Sequence, residues 1–96
     1  MEIKQTSNGR NGVFTAYLDG QQSGQLHYYE DGDNKLVIES TEVGDHFSGH
    51  GIGKKLILEA VDYARRNDMK IITQCPFANS IFEKTIAFQD VLERAD

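Results

Sequence analysis

Hydrophobic and polar positions divide the chain into two textures. Residues 13–18, 25–29 and 35–43 are runs rich in β-branched and aromatic side chains, such as Val13, Phe14, Tyr17, Tyr28, Val37 and Ile38. Turn-forming clusters, 19–24 and 30–34, separate them with Asp, Gly, Ser and Asn. Strand-favouring runs between such turns predict an antiparallel meander. Ile3 and its neighbours are expected to add a short edge strand.

The period changes after Val43. Residues 44–48 read as a loop. Ile57, Ala60, Val61 and Ala64 then recur at i, i+3, i+4 and i+7, and Ile52, Leu56 and Tyr63 widen the same face. That spacing predicts a helix from Gly51 to about Arg66. Arg65 and Arg66 suit its negative end, and Asn67-Asp68 is a plausible stop. Residues 70–75 read as a short buried strand ended by Pro76. A strand reached through a helix implies a parallel crossover. The tail is expected to form a short helix, opened by Asn79 and running to about Lys84, that packs Ile81 and Phe82, with Phe88, Val91 and Leu92 anchoring the end. The outcome is one α+β domain over residues 1–96, with a mixed sheet.

Composition narrows the function classes. A chain of 96 residues is one domain and buries roughly 60–65% of its unfolded surface. No apolar run is long enough to span a membrane. The N-terminus lacks the apolar core of a signal peptide, so a cytoplasmic location is expected. One cysteine, Cys75, excludes an intramolecular disulfide and a Cys-rich zinc site. A net charge of −5 argues against nucleic acid and favours a cationic or amine substrate.

Chemistry concentrates in Ser48-Gly49-His50-Gly51-Ile52-Gly53-Lys54. A glycine turn opening a helix leaves backbone N–H groups pointing outward at the positive end of the helix dipole, which suits phosphate or pyrophosphate. Missing Cβ atoms let a ligand approach the main chain. The dinucleotide fingerprint GxGxxG fails, because Lys54 or Leu56 stands where its third glycine is required. The P-loop fails too: Ser48 replaces its first glycine and Lys55 its hydroxyl. His46 and His50 flank the turn and either donate to phosphate or are plain loop residues. Grouping them with His27 has no ligand logic behind it, so no metal is expected.

The order strand, strand, strand, glycine turn, helix, strand, short helix resembles the GCN5-related N-acetyltransferases. Their pyrophosphate loop, Q/R-x-x-G-x-G/A, maps onto Ser48-Gly49-His50-Gly51-Ile52-Gly53, with Ser48 departing at the Gln/Arg position. Length, Cys75-Pro76-Phe77 and Phe88-Gln89-Asp90-Val91-Leu92 look like the minimal YjdJ-like branch. The resemblance spans about Val13 to Leu92.

It implies a minimal acyl-CoA N-acyltransferase fold that moves acetyl from acetyl-CoA to a primary amine. Main-chain groups from Thr41 to Val43 would run along the pantetheine arm, and residues 48–53 would cradle the pyrophosphate. Lys54 or Lys55 would reach CoA phosphates, or else be a solvated lysine. Asn79 would bond the pantetheine amide, or else be an N-cap. Cys75 would accept the acetyl group or protonate departing CoA; otherwise it is a small core residue. Glu42 would serve as a base or an amine-binding carboxylate, or be an ordinary solvated glutamate. Relatives often carry a histidine where Ser40 stands, and a C-terminal tyrosine whose nearest counterpart is Phe82. The alternatives are a non-catalytic acyl-CoA-binding module and a small interaction domain. A shallow site open to an exposed amine or peptide is expected, in a monomer or a weak dimer paired through sheet edges.

Overall fold

The computed structural model describes residues 1–93. Four antiparallel strands come first: β1 (Glu2–Asn8), β2 (Asn11–Leu18), β3 (Gln21–Asp31) and β4 (Lys35–Val43). Helix α1 (Ile52–Arg66) crosses over to β5 (Lys70–Thr73), which lies parallel to β4. Helix α2 (Pro76–Lys84) follows. The sheet order is β1-β2-β3-β4-β5. The meander and the parallel crossover are as the sequence predicts, and the class is α+β. β1 is a full seven-residue edge strand rather than a short one. The β2–β3 turn is only two residues, Asp19 (φ 51) and Gly20 (φ 81), both left-handed. Such a turn suits the twist of a hairpin, so β3 begins earlier than the turn-rich composition suggests.

Both helices cover one face of the sheet. Ile52, Leu56, Ile57, Ala60, Val61 and Ala64 of α1 bury against Phe14, Ala16, Leu26, Tyr28, Leu36 and Ile38. The rings of Phe14, Tyr28 and Tyr63 form a cluster with centroids 5.2–6.0 Å apart. The Tyr63 hydroxyl donates to Glu30 Oε2 at 2.9 Å. Burial first, then this bond, pushes the Tyr63 pKa up.

The tail closes the outer edge of β5. Ile71 N–H donates to Val91 O at 2.6 Å, and Glu93 N–H donates to Ile71 O at 2.8 Å. Phe88 and Val91 are buried, as expected of anchors. Arg65 reinforces them by donating to both Asp90 carboxylate oxygens, at 3.1 and 2.9 Å, and to the Ala87 carbonyl at 2.5 Å. This fork holds the Asp90 carboxyl below its ordinary pKa.

One sheet irregularity positions the site. His27 pairs with Ser40 and Tyr28 with Ile38, so Glu39 is an extra residue in β4. Such a bulge bends its strand and increases its twist. Just beyond, β4 and β5 part: their ladder ends at Ile38 and Thr73, and Gln74 N–H makes the last bond, to Ile38 O at 2.8 Å.

Candidate active site

From Ser40 to Val43, β4 is paired on its β3 side but, among the described residues, has no ladder partner on its β5 side. Gly44 N–H donates to Ser23 O at 2.9 Å, which fixes the direction of alternation at this end of the strand. Alternation then turns the main chains of Thr41 and Val43 away from β3, toward the wedge between β4 and β5. An extended polar ligand is the natural occupant of such an edge, because backbone groups withdrawn from water need partners.

The glycine turn lies at the open end of the wedge. Gly49 (φ 85) and Gly51 (φ 70) are both left-handed, and a Cβ at either would meet nothing within 4 Å. Conformation requires glycine at these two positions, and the space above them is clear. Gly51 occupies the N-cap of α1 and supplies no side chain to cap it. The first turn holds no acidic residue and instead carries Lys54. Helix starts usually carry a capping hydroxyl or carboxylate. Here the free amides and the adjacent cation are left for an external anion.

A cavity of about 370 Å3 runs from the turn to Val43 at the end of β4. Val43, Ser48, Gly49, Gly51, Gly53 and Lys54 contribute to its walls, together with the apolar groups Phe47, Ile52, Phe77 and Ile81. Gly53 has a different reason to be glycine: a Cβ there would stand 2.7 Å from Phe77 Cζ. Phe77 is 41% exposed at the cavity mouth. Its place opposite Gly53 depends on the turn from β5 into α2, and no local pattern signals it.

Cys75 is 6% exposed and is the N-cap residue of α2. Pro76 at the first helical position starts α2 three residues earlier than the sequence reading. Asn79 therefore does not open the helix. It sits in the first turn, with its N–H donating to Cys75 O at 2.9 Å and its Oδ1 accepting from Thr73 Oγ1 at 3.1 Å. β5 likewise stops at Thr73, so Cys75 lies two residues past the strand rather than ending it. Burial pushes the thiol pKa up. The amides of Ala78 and Phe77, together with the Thr41 hydroxyl, more than offset it, and the net shift is downward. Thr41 Oγ1 is itself buried without a hydrogen-bond partner of normal geometry. That orphan hydroxyl beside the thiol fits a polar ligand reaching into the wedge.

The remaining candidates are dispersed. Thr41 pairs with Leu26, whose side chain is in the core, whereas Glu42 pairs with Gln25 on the opposite face. Cys75 and Glu42 thus address the wedge from opposite faces of the sheet. His46 and His50 are exposed, and neither lines the cavity. Of the two lysines, Lys54 borders the cavity, while Lys55 faces Met1, Ile3 and Leu58 on another flank. Phe82 is fully buried in the core.

A mixed sheet parting beside a glycine turn that feeds a helix defines the acyl-CoA N-acyltransferase class of fold. The sequence profile described as GCN5-related N-acetyl-transferase matches residues 13–91. The chain belongs to this family. It is similar to a GCN5-like protein from Staphylococcus aureus. The two share 34% identity, with 99% of this chain and 90% of that one covered and a TM-score of 0.76. Ribosomal-protein-alanine N-acetyltransferase from Brucella melitensis shares the fold at 21% identity, with 93% of this chain and 66% of that one covered and a TM-score of 0.68. So does a family acetyltransferase from Elizabethkingia anophelis, solved with acetyl-CoA bound: 15% identity, 78% of this chain and 52% of that one, TM-score 0.65. No protein of curated function matches the chain.

Proposed function

We propose that the protein transfers an acetyl group from acetyl-CoA to an amine. The observation that carries this is the coincidence, along one wall, of the unpartnered main chain of β4 and the uncapped, cation-flanked start of α1. In this reading residues 48–53 cradle the pyrophosphate through Ser48, Gly49, His50, Gly51, Ile52 and Gly53, chiefly by backbone N–H groups. Lys54 adds charge at the same end. Thr41 and Val43 run along the pantetheine arm, with Asn79 as a further polar contact from α2. A backbone N–H of β4 at the wedge holds the developing oxyanion.

Cys75 stands where the wedge narrows. Its lowered pKa favours the thiolate and supports a nucleophilic role: Sγ bonds to the acetyl carbon as the bond to CoA sulfur breaks, and the CoA thiolate leaves and takes a proton from water. The amine then takes the acetyl group, and Cys75 returns as the free thiolate. Glu42, on the opposite face, is placed to attract a cationic acceptor. Release of free CoA thiol across a panel of amines tests the assignment; acetyl-CoA binding without release from any amine would exclude it.

One observation favours a second reading, an acyl-CoA-binding module without chemistry. Phe82 offers no acid and Ser40 no base. The same thiol-release assay separates the two.

A further inference from the structure

α1 and α2 cover one face of the sheet, and the other face carries an open depression of about 560 Å3. Its walls include Thr6, Asn8, Asn11, Val13, His27 and Glu39. Register explains why these residues meet. Thr6, Val13, His27 and Ser40 form one row across β1 to β4, and Asn8 and Asn11 pair at the hairpin end. Glu39 is the bulge residue, inserted between the partners of Tyr28 and His27. His27 and Glu39 therefore form the wall nearest to where β4 parts from β5. His27 is one strand away, roughly 5 Å.

The loop cavity and this depression lie on opposite sides of the sheet, and Glu39 brings the depression to the strand, β4, from which β5 parts. We infer that the open-face depression is the acceptor site and that it takes a small, polar primary amine. Glu39 holds the ammonium, and His27 takes its proton. The inference rests on the acetyl-transfer reading above. Thr6, Ser7, Asn8 and Asn11 bring hydroxyl and amide groups to the walls beside the apolar surface of Val13 and Tyr28, so a hydroxylated or amide-bearing amine gains partners there. An apolar amine would leave those groups unpaired. The volume falls in the range of small-molecule sites. Glu39 as the carboxylate in the walls and a net charge of −5 favour a cation.

The ammonium gives one proton to His27, leaving a free amine. Its nitrogen bonds to the acetyl carbon as the carbon–sulfur bond breaks. The leaving sulfur is that of acetylated Cys75, released as its thiolate, and the second nitrogen proton, like the one on His27, passes to water.

The test is backbone amide shift mapping on the full chain, with acetyl-CoA bound, using glucosamine and n-hexylamine as probes. Glucosamine should move amides in residues 6–13 and at His27 and Glu39, and hexylamine should not. Glu39→Gln should weaken glucosamine binding about tenfold, the loss of one charge-assisted contact. In CoA-release assays with saturating glucosamine, His27→Gln should lower kcat about 100-fold, with KM for acetyl-CoA unchanged. His27 is half-buried and Glu39 exposed, so both variants should fold, which their amide spectra report. Four results would overturn the inference: glucosamine shifts elsewhere or none, equal shifts with hexylamine, no CoA release with glucosamine, or full activity of His27→Gln. In each case, retained acetyl-CoA shifts at residues 49–54 would confine the failure to the acceptor site. Their absence would instead bring down the acetyl-transfer reading and this inference with it.

Discussion

The ring of Phe77 lies across Gly53 so closely that a Cβ at Gly53 would stand 2.7 Å from Cζ. Three glycines alternate in this loop, yet they serve two purposes. Gly49 and Gly51 supply left-handed backbone with clear space above, and Gly53 supplies room for a neighbouring ring. The two kinds should respond differently to substitution.

Gly53→Ala adds a methyl inside α1, where alanine is intrinsically favoured over glycine by about 1 kcal/mol. The methyl meets only the outer end of a half-exposed ring, which can swing away. Stability should therefore hold within about 1 kcal/mol of the parent, while acetyl-CoA affinity falls as Phe77 leaves the cavity mouth. Gly51→Val places a β-branched residue at φ 70. It should cost about 1–2 kcal/mol in stability and weaken acetyl-CoA at least about tenfold by blocking the approach to the main chain. Urea melts and calorimetric titration of the two variants check the contrast.

Thr41→Val should separate folding from binding. Among the described residues the buried hydroxyl has no partner of normal hydrogen-bond geometry and only the Cys75 sulfur beside it, so removing it at constant shape should leave the stability of the free protein within about 1 kcal/mol of the parent. The same change removes one of the groups that lower the Cys75 pKa, so the thiol pKa should rise. Acetyl-CoA binding should weaken. Increased affinity would show that the wedge does not use this hydroxyl.

The Cys75 thiol should react with iodoacetamide along a pH curve whose midpoint lies below that of an ordinary cysteine, and acetyl-CoA should protect it. A folded pKa below the unfolded one contributes stabilisation fully present above the unfolded thiol's pKa, and that contribution is lost as pH falls through the folded value. Near neutrality Cys75→Ser should thus change stability mainly through packing. An alkylation midpoint above the ordinary thiol range would remove the nucleophilic role.

Tyr63→Phe is the control for the core. It deletes the 2.9 Å bond to Glu30 and should cost about 1 kcal/mol. Acetyl-CoA affinity should be unchanged, because Tyr63 packs on Phe14 and Tyr28 beneath the sheet, away from the wedge.

Features written in local pattern were legible in the sequence. The spacing of Ile57, Ala60, Val61 and Ala64 predicted α1, and those residues are its buried face. The strand runs predicted the meander, and the helix between β4 and β5 predicted their parallel pairing. The sequence pattern puts the start of α2 too late because Pro76 reads as a strand terminator, when it is also a favoured first helical residue. The bulge at Glu39 was invisible, since only register across two strands reveals an extra residue. Phe77 over Gly53 and the row from Thr6 to Ser40 were hidden for the same reason: they join residues distant in sequence. The placement of Glu42 also follows from the bulge, which sets the phase of β4 beyond it.

The central claim is that the wedge and the glycine turn bind acetyl-CoA as one site. Titrating the labelled protein with acetyl-CoA, then with CoA alone, tests it by amide shifts. The account predicts large shifts at residues 49–54, at Thr41 and Val43 along β4, and at Cys75, with the acetyl signal lost on standing as transfer proceeds. Absence of shifts at millimolar ligand, or shifts confined to surfaces away from α1 and β4, would contradict it.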